Sequence, residues 1–129
     1  MSQPSRAVFS FCLLNKIPHK VHEVSVVGLE QYSKEYKAIN PNAKVPALRD
    51  VIMEADGTER VVDLYESHSM LRYLHETRGC ADHWYPRKDM RLRAKIDEYL
   101  DWHHTGIRLG AGGYVFRKYM TPLTGKPAP

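Results

Sequence analysis

The sequence predicts an α/β protein whose chain ends in a long helix. A run with helical spacing opens the chain and an alternating run follows it, which is typical of a helix followed by a strand. The pair Asp56-Gly57 between two apolar runs predicts a hairpin, and a capped helix follows it. From Asp89 to Leu109 apolar residues again recur at helical spacing. The predicted order is therefore helix, strand, helix, strand, strand, helix, linker and long helix.

The first helix is predicted to begin at Ser2. This serine is in an N-cap-like position, and Pro4 falls in the first turn, where proline is tolerated. Apolar side chains then follow at roughly helical spacing: Val8, Phe11, Cys12 and Leu14. Cys12 on this face is interpreted as a packing residue and not as a nucleophile. Ile17-Pro18 ends the helix, since proline cannot continue it.

A strand is predicted from Val21 to Val27, because successive side chains alternate between the two faces. Gly28 closes it. A short helix follows from Ser33 to Ile39 and stops at Asn40-Pro41-Asn42.

A short strand is predicted over Val45–Leu48, although it contains Pro46. Because proline cannot donate to a ladder, this segment must be a strand edge, a bulge or a cis turn. The hairpin comes next, with strands over Val51–Met53 and Val61–Leu64.

The helix after the hairpin is predicted to start with Ser67 as its cap and to end at Gly79. Its inner face carries Met70, Leu71 and Leu74. Beyond it, the long helix presents one apolar stripe, and Gly110, Gly112 and Gly113 should loosen its far end. That stripe consists of Leu92, Ile96, Tyr99, Leu100, His103 and Ile107.

This pattern predicts three parts along the chain. Residues 1–80 form an N-terminal domain, residues 81–88 a linker, and residues 89–129 the start of an all-helical domain. A βα unit followed by a ββα unit is the composition of a thioredoxin-like layer. A parallel strand should precede the Ser2 helix in such a layer, and the chain begins too late to supply it.

Composition excludes several classes of protein. The 129 residues are 43% hydrophobic, which permits a core, and no run approaches a membrane span. The net charge is +4, and acidic residues are mixed among the basic ones, so nucleic-acid binding is not expected. Two cysteines and no signal sequence favour a cytoplasmic location. Neither a metal site nor a nucleotide-binding motif is expected, because the histidines lack ligand spacing and no glycine-rich loop occurs.

Five segments of the sequence resemble the glutathione S-transferases, specifically the theta class of plant type. They occur in family order at family-like spacing, and together they are far more specific than any one of them. The segments are Ser2–Val8, Ile39–Leu48, Glu66–His68, Ala81–Pro86 and Asp101–Thr105. The resemblance implies a thioredoxin-like domain that binds glutathione, followed by an all-helical domain. It further implies attack of the glutathione thiolate on an electrophile or on an organic hydroperoxide, and a homodimer.

Ser2 is the catalytic residue that the resemblance implies. Its hydroxyl would donate to the glutathione sulfur, and the helix N-terminus would add partial positive charge beside it. Taken alone, Ser2 is more simply interpreted as a helix cap. Within the whole motif the catalytic interpretation is favoured.

The resemblance also assigns the residues that bind the tripeptide. Pro46 matches the family's cis-proline, and Val45 would offer its backbone to the cysteinyl unit as an added strand does. Ser67 would bind the γ-glutamyl carboxylate and Glu66 the α-ammonium group. The alternatives are an ordinary trans proline and a plain helix N-terminus.

Four further residues carry weaker assignments. Gln31, Tyr32 and Lys44 match positions around the glycyl end of glutathione, where solvated loop residues are the alternative. Lys44 would pair with the glycyl carboxylate and Gln31 would donate a hydrogen bond. Arg108 on the long helix would lie near a second substrate or a leaving anion.

The sequence departs from the family pattern at both ends, as a truncated member would. The first strand and most of the helical domain are not in the chain, and Met53–Glu59 lengthens the hairpin. A second functional class therefore stays open, a non-catalytic thioredoxin-fold module that binds a partner or glutathione.

Overall fold

The structure of the chain, a computed structural model, describes residues 2–124. It divides into two compact units, one ending at Trp84 and the other beginning at Tyr85. The first unit contains two packed helices, a short third helix and a β-hairpin. The described part of the second is helical from Met90 onward, apart from a turn at Gly106. Met1 and residues 125–129 lie outside the described residues.

Helix α1 runs from Gln3 to Leu14, with Ser2 as its N-cap, as predicted. The Ser2 hydroxyl oxygen accepts the backbone N–H of Ser5 at 3.3 Å, which satisfies one donor that the first turn leaves free. The predicted apolar face is buried at Val8, Phe11 and Cys12. The prediction is wrong at Leu14, which is 68% exposed because it lies in the last turn, away from the core.

The predicted strand Val21–Val27 is not a strand. The chain is irregular up to Ser25 and then turns, and the only strands in the described part of the chain are the two of the hairpin. Alternation gives a segment the side-chain pattern of a strand, but a strand also needs a neighbour to pair with. Val27 is 90% exposed, as expected for a segment with no sheet around it.

Helix α2 follows a 3₁₀ turn over Glu30–Tyr32 and runs from Lys34 to Ile39. Ser33 caps it by accepting the N–H of Tyr36 at 3.1 Å. Asn40 ends it, as the sequence predicted.

The hairpin consists of strands β1 (Leu48–Met53) and β2 (Glu59–Leu64), paired antiparallel. Asp56-Gly57 lies in the turn as predicted, and the φ angle of +84° at Gly57 is one that glycine adopts without strain. Of the three alternatives that the sequence left for Val45–Leu48, the structure has the cis turn: the Val45-Pro46 peptide bond is cis, and only Leu48 joins the ladder. Pro46 has no N–H to donate to a neighbouring strand.

Helix α3 runs from Ser67 to Thr77. Its N-cap is Glu66, so Ser67 is the first helical residue and not the cap that the sequence predicted. A cap is the last residue with extended φ and ψ angles, and Glu66 has them at −107° and 120°. Gly79 lies just past the end of the helix with a φ angle of +59°.

The core of the first unit lies between α1, α3 and one face of the hairpin. Met70 and Leu74 supply the predicted inner face of α3, and Leu71 packs against the core from its edge. The fully or nearly buried members are Val8, Phe11, Cys12, Ile17, Met70, Leu74 and Cys80. Leu48 and Leu64 pack against them from the hairpin.

One charged cluster joins the hairpin to α3. Arg78 donates to both carboxylate oxygens of Asp50 at 2.6 Å, and the hydroxyl of Tyr73 donates to the same carboxylate at 2.7 Å. The Asp50 carboxylate raises the pKa of Arg78, because its negative charge stabilises the guanidinium. The cluster therefore links residues that are far apart in sequence.

Helix α4 of the second unit runs from Met90 to Thr105, with Asp89 as its N-cap. The hydroxyl of Tyr85 donates to the carboxylate of Asp97 at 2.9 Å, and the guanidinium of Arg93 lies 4.2 Å above the Tyr85 ring. These contacts fasten the segment before α4 to the helix itself.

The long helix was predicted to continue to Leu109, but α4 ends at Thr105 with Gly106 as its C-cap. Glycine lowers helical stability and is favoured at helix ends. The chain then changes helical type, as the glycine-rich sequence indicated. It forms a π-helix (Arg108–Gly112), one α-helical turn (α5, Gly113–Val115), a second π-helix (Phe116–Met120) and a 3₁₀ turn (Thr121–Thr124).

The apolar stripe of α4 contributes no buried residue. Tyr99 is 53% exposed and Leu92 47%. No helix within residues 2–124 is both long enough and apolar enough to cross a membrane.

Candidate functional site

The hairpin register brings two of the predicted binding segments to one end of the first unit. Leu48 pairs with Leu64, so the start of β1 and the end of β2 lie side by side. Val45-Pro46 comes just before β1, and Glu66-Ser67 comes just after β2. The two segments therefore approach the same end of the hairpin from opposite directions.

The N-terminal ends of α1 and α3 point toward a common end as well. The ring of Phe11 lies 5.5 Å from the ring of Trp84, measured between centroids. Phe11 is in the last turn of α1, and Trp84 follows the C-terminal end of α3. Because these ends lie together, the paired helices run in the same direction, and Ser2 and Ser67 begin them at the opposite end.

The loop before β1 presents an unpaired stretch of backbone. The Val45-Pro46 peptide bond is cis, as predicted. Among residues 2–124, no group hydrogen-bonds to the N–H or to the C=O of Val45. A polar backbone without a partner is available to a ligand that carries its own donor and acceptor.

Gln31 is buried with unused hydrogen-bonding capacity. Its side chain lies in the 3₁₀ turn before α2 and is 6% exposed. The amide oxygen Oε1 has no hydrogen-bond partner within the described residues. Because an orphaned buried acceptor costs free energy, such an atom indicates a place where another molecule binds.

Tyr32 and Lys44 are on the surface of the same region. Tyr32 is 56% exposed, and the ammonium group of Lys37 lies 5.5 Å above its ring. The side chain of Lys44 is exposed, so its charge can meet an anion from solvent.

The N-terminus of α3 combines the hydroxyl of Ser67 with the first backbone N–H groups of a helix. Ser67 is 4% exposed, and its hydroxyl makes no hydrogen bond to another described residue. The first N–H groups of the helix have no intrahelical acceptor, and the helix dipole favours an anion there. Glu66 is exposed beside them and its carbonyl accepts the N–H of Met70 at 2.9 Å. This end of α3 can bind a carboxylate.

Ser2 caps α1 and contacts a second hydroxyl. Its Oγ lies 2.5 Å from the Oγ of Ser5 and also accepts the N–H of Ser5. A hydroxyl has one donor and two acceptor positions. When the Ser5 hydroxyl donates, both acceptor positions of Ser2 are filled and its own proton is free for a ligand.

Arg108 lies in the second unit, at the start of a π-helix. Its Nη1 is 3.4 Å from the Nδ1 of His104. Burial lowers the pKa of the neighbouring His103, and the positive charges of Arg108 and His104 lower it further. Eight of the nine predicted site residues are in the first unit, and Arg108 alone is in the second.

Sequence reasoning missed Asn40. It was interpreted only as the end of α2, whereas the structure shows its side chain fully buried against the loop that carries Lys44. A polar residue followed by proline and a second asparagine predicts a turn, but that signal does not reveal which carbonyl the amide contacts.

The first unit thus has the helices, the hairpin and the cis-proline loop of a thioredoxin-like domain. The family model for "Glutathione S-transferase, N-terminal domain" matches residues 2–77. Glutathione S-transferase T1 of Arabidopsis thaliana is 45% identical over 98% of this chain and 48% of its own length. Glutathione S-transferase theta-3 of Mus musculus is 38% identical over 100% of this chain and 50% of its own length.

Solved structures agree with the sequence comparison. A crystal structure of human glutathione transferase theta-2, in complex with glutathione and an unknown ligand, superposes with a TM-score of 0.84. It is 38% identical to this chain and covers 99% of it, and the match takes in 49% of the human chain. The chain belongs to the glutathione S-transferase family, and its relatives place it in the theta class. It spans about half the length of these relatives.

Proposed function

We propose that the first unit binds glutathione at the end of the hairpin where Val45-Pro46 and Glu66-Ser67 meet. The unpaired backbone of Val45 supports this, because an extended peptide can bond to it as a strand would. Ser67 and the first N–H groups of α3 bind the γ-glutamyl carboxylate. Glu66 pairs with the α-ammonium group, which carries the opposite charge.

The other end of the tripeptide binds near α2. The exposed ammonium group of Lys44 pairs with the glycyl carboxylate, and Gln31 and Tyr32 bind beside it. The orphaned acceptor of Gln31 supports this assignment, because a peptide N–H would satisfy it.

The chemical activity we propose is that of a glutathione transferase. Ser2 donates its free proton to the glutathione sulfur, and the N-terminus of α1 adds partial positive charge. Both effects favour thiolate over thiol, so the sulfur becomes nucleophilic near pH 7. The thiolate attacks an electrophilic carbon or the oxygen of an organic hydroperoxide.

The proposal extends to the second unit and to assembly. Residues 81–88 form the linker, and residues 89–129 begin the all-helical domain that holds the second substrate, with Arg108 near its leaving anion. The chain works as a cytoplasmic homodimer. Exposed apolar side chains on α4, including Tyr99 and Leu92, support burial of that helix against further protein.

The single observation that carries the proposal is Ser67 at the start of α3, a residue that is 4% exposed and whose hydroxyl has no hydrogen-bond partner among the described residues. Isothermal titration calorimetry with glutathione should show binding to the wild-type chain. Ser67→Ala should weaken it about 10- to 100-fold, since a hydrogen bond to a charged group contributes about 1.5–3 kcal/mol. Ser69→Ala is the matched control, because Ser69 is exposed two residues along the same helix. Equal dissociation constants for both variants would contradict the site.

Turnover is tested separately with glutathione and a small organic hydroperoxide. Ser2→Ala should remove most of the wild-type rate while glutathione still binds. Binding without any turnover in the wild type would leave the chain as a glutathione-binding module.

A further inference from the structure

Asn40 is fully buried, and all four of its polar groups are used. Its backbone N–H donates to the carbonyl of Tyr36 at 2.9 Å, and its carbonyl accepts the N–H of Ala43 at 3.0 Å. The side-chain oxygen accepts the N–H of Asn42 at 2.9 Å. The side-chain nitrogen donates to the carbonyl of Lys44 at 2.6 Å.

The carbonyl of Lys44 receives two hydrogen bonds. Besides the Asn40 amide, the hydroxyl of Tyr36 donates to it at 2.7 Å. Tyr36 lies within α2 and Asn40 is its C-cap, so this carbonyl is held against the helix. Burial raises the pKa of Tyr36, and its hydroxyl remains a donor at neutral pH.

The consequence falls on the next residue, because the carbonyl of Lys44 and the N–H of Val45 belong to one planar peptide unit. In a trans peptide the C=O and N–H bonds point in opposite directions. Fixing the carbonyl toward α2 therefore fixes the unpaired N–H of Val45 away from it. That N–H is a donor that the proposed glutathione site uses.

We propose that Asn40 is a positioning residue for the glutathione site, holding the Lys44-Val45 peptide so that Val45 presents its backbone to the ligand. The role rests on the proposed function. Asn40 touches no ligand itself and acts through the peptide that it holds, with Tyr36 as its second support.

Calorimetry with glutathione tests the binding consequence. Asn40→Ala should weaken glutathione binding about tenfold, as loss of one well-formed hydrogen bond and of loop order does. Tyr36→Phe removes a single donor to the same carbonyl and should weaken binding about threefold to fivefold. Asn42→Ala is the matched control, because Asn42 is exposed and joins the loop through its backbone N–H alone.

Limited trypsin digestion of the full chain tests the loop without any ligand. To cut the Lys44-Val45 bond, the protease must bind the carbonyl of Lys44 in its active site. In the wild type that carbonyl already accepts two hydrogen bonds from Tyr36 and Asn40. Asn40→Ala should accelerate this cut about tenfold relative to the cut after Lys20, which lies in an exposed segment. A general loss of stability would accelerate both cuts.

Asn40→Asp separates the hydrogen bond from mere packing. Aspartate has the same shape and keeps the acceptor for Asn42, but its carboxylate cannot donate to Lys44. At low pH the protonated carboxyl can donate again. Full burial at position 40 raises the pKa of the introduced carboxyl above the ordinary aspartate value of about 3.9. Glutathione binding by this variant, relative to the wild type at the same pH, should therefore improve between pH 8 and pH 4.5. Tyr36, whose hydroxyl donates to the same carbonyl, keeps its proton throughout.

The outcomes separate the two proposals. Wild-type chain that binds glutathione no better than Ser67→Ala overturns the proposed function. Wild-type binding that Asn40→Ala and Tyr36→Phe leave unchanged, with the cut after Lys44 no faster, overturns the role of Asn40. Weaker binding by Asn40→Ala, a faster cut at Lys44 and recovery of Asn40→Asp at low pH support it.

Discussion

Replacing Asp50 by asparagine should destabilise the first unit by disconnecting the hairpin from α3. The Asp50 carboxylate accepts two hydrogen bonds from Arg78 and one from Tyr73. Its side chain is 12% exposed, whereas that of Arg78 is 32% exposed. The substitution removes the charge from the less exposed partner and keeps the shape of the side chain.

The expected loss is about 1–2 kcal/mol of unfolding free energy. A hydrogen bond to a charged group contributes about 1.5–3 kcal/mol, and the exposure of Arg78 reduces that value through solvent screening. In a unit of this size, 1 kcal/mol lowers the unfolding midpoint by about 4–8 °C. We therefore expect the midpoint to fall by about 4–16 °C.

Thermal unfolding followed by circular dichroism measures this shift, and Asp63→Asn is the control. Asp63 also pairs with an arginine, Arg49, but that pair lies within the hairpin and its arginine is 47% exposed. Exposed pairs contribute little, so the control should move the midpoint much less. Equal shifts for the two variants would refute the view that Asp50 joins hairpin to helix.

Two further predictions concern the core. Met70→Ala should cost about 2–5 kcal/mol in urea unfolding, because Met70 is completely buried, whereas Met53→Ala should cost little, since Met53 is 63% exposed. Burial raises the pKa of Cys12, so the folded chain holds that proton more tightly than the unfolded chain. Stability should therefore fall as pH rises above about 8.5, the ordinary pKa of cysteine, and Cys12→Ala should flatten that fall. A steeper fall in the variant would mean that other groups dominate.

Local patterns predicted the helices of the first unit well. The cap at Ser2, the short helix that ends at Ile39, the buried face of α1 and the glycine turn of the hairpin all depend on neighbours in sequence. The sequence predicted Ser67 as the N-cap of α3, whereas the N-cap is Glu66 and Ser67 is the first helical residue. Its burial, which matters for the site, follows from the N-terminal turn of α3.

Long-range features were beyond the sequence patterns. The alternation in Val21–Val27 expresses a preference for extended backbone, but pairing depends on whether another strand lies alongside. The contacts of Asn40 require a loop that folds back to Lys44, and no periodicity encodes that path. The common end of α1 and α3 likewise follows from their packing and not from either helix alone.

Helix α4 has no buried residue, and this sets how its amides exchange with solvent. Sixteen residues are close to the length at which an isolated helix is marginal in water. The α4 hydrogen bonds therefore depend on the Asp89 cap and on contacts along the helix, such as Lys95 with Glu98 at 2.8 Å. Such a helix frays at its ends far more often than the buried core around Met70 unfolds. Deuterium should therefore enter α4 long before it enters α3, and the two helices report separate free energies of opening.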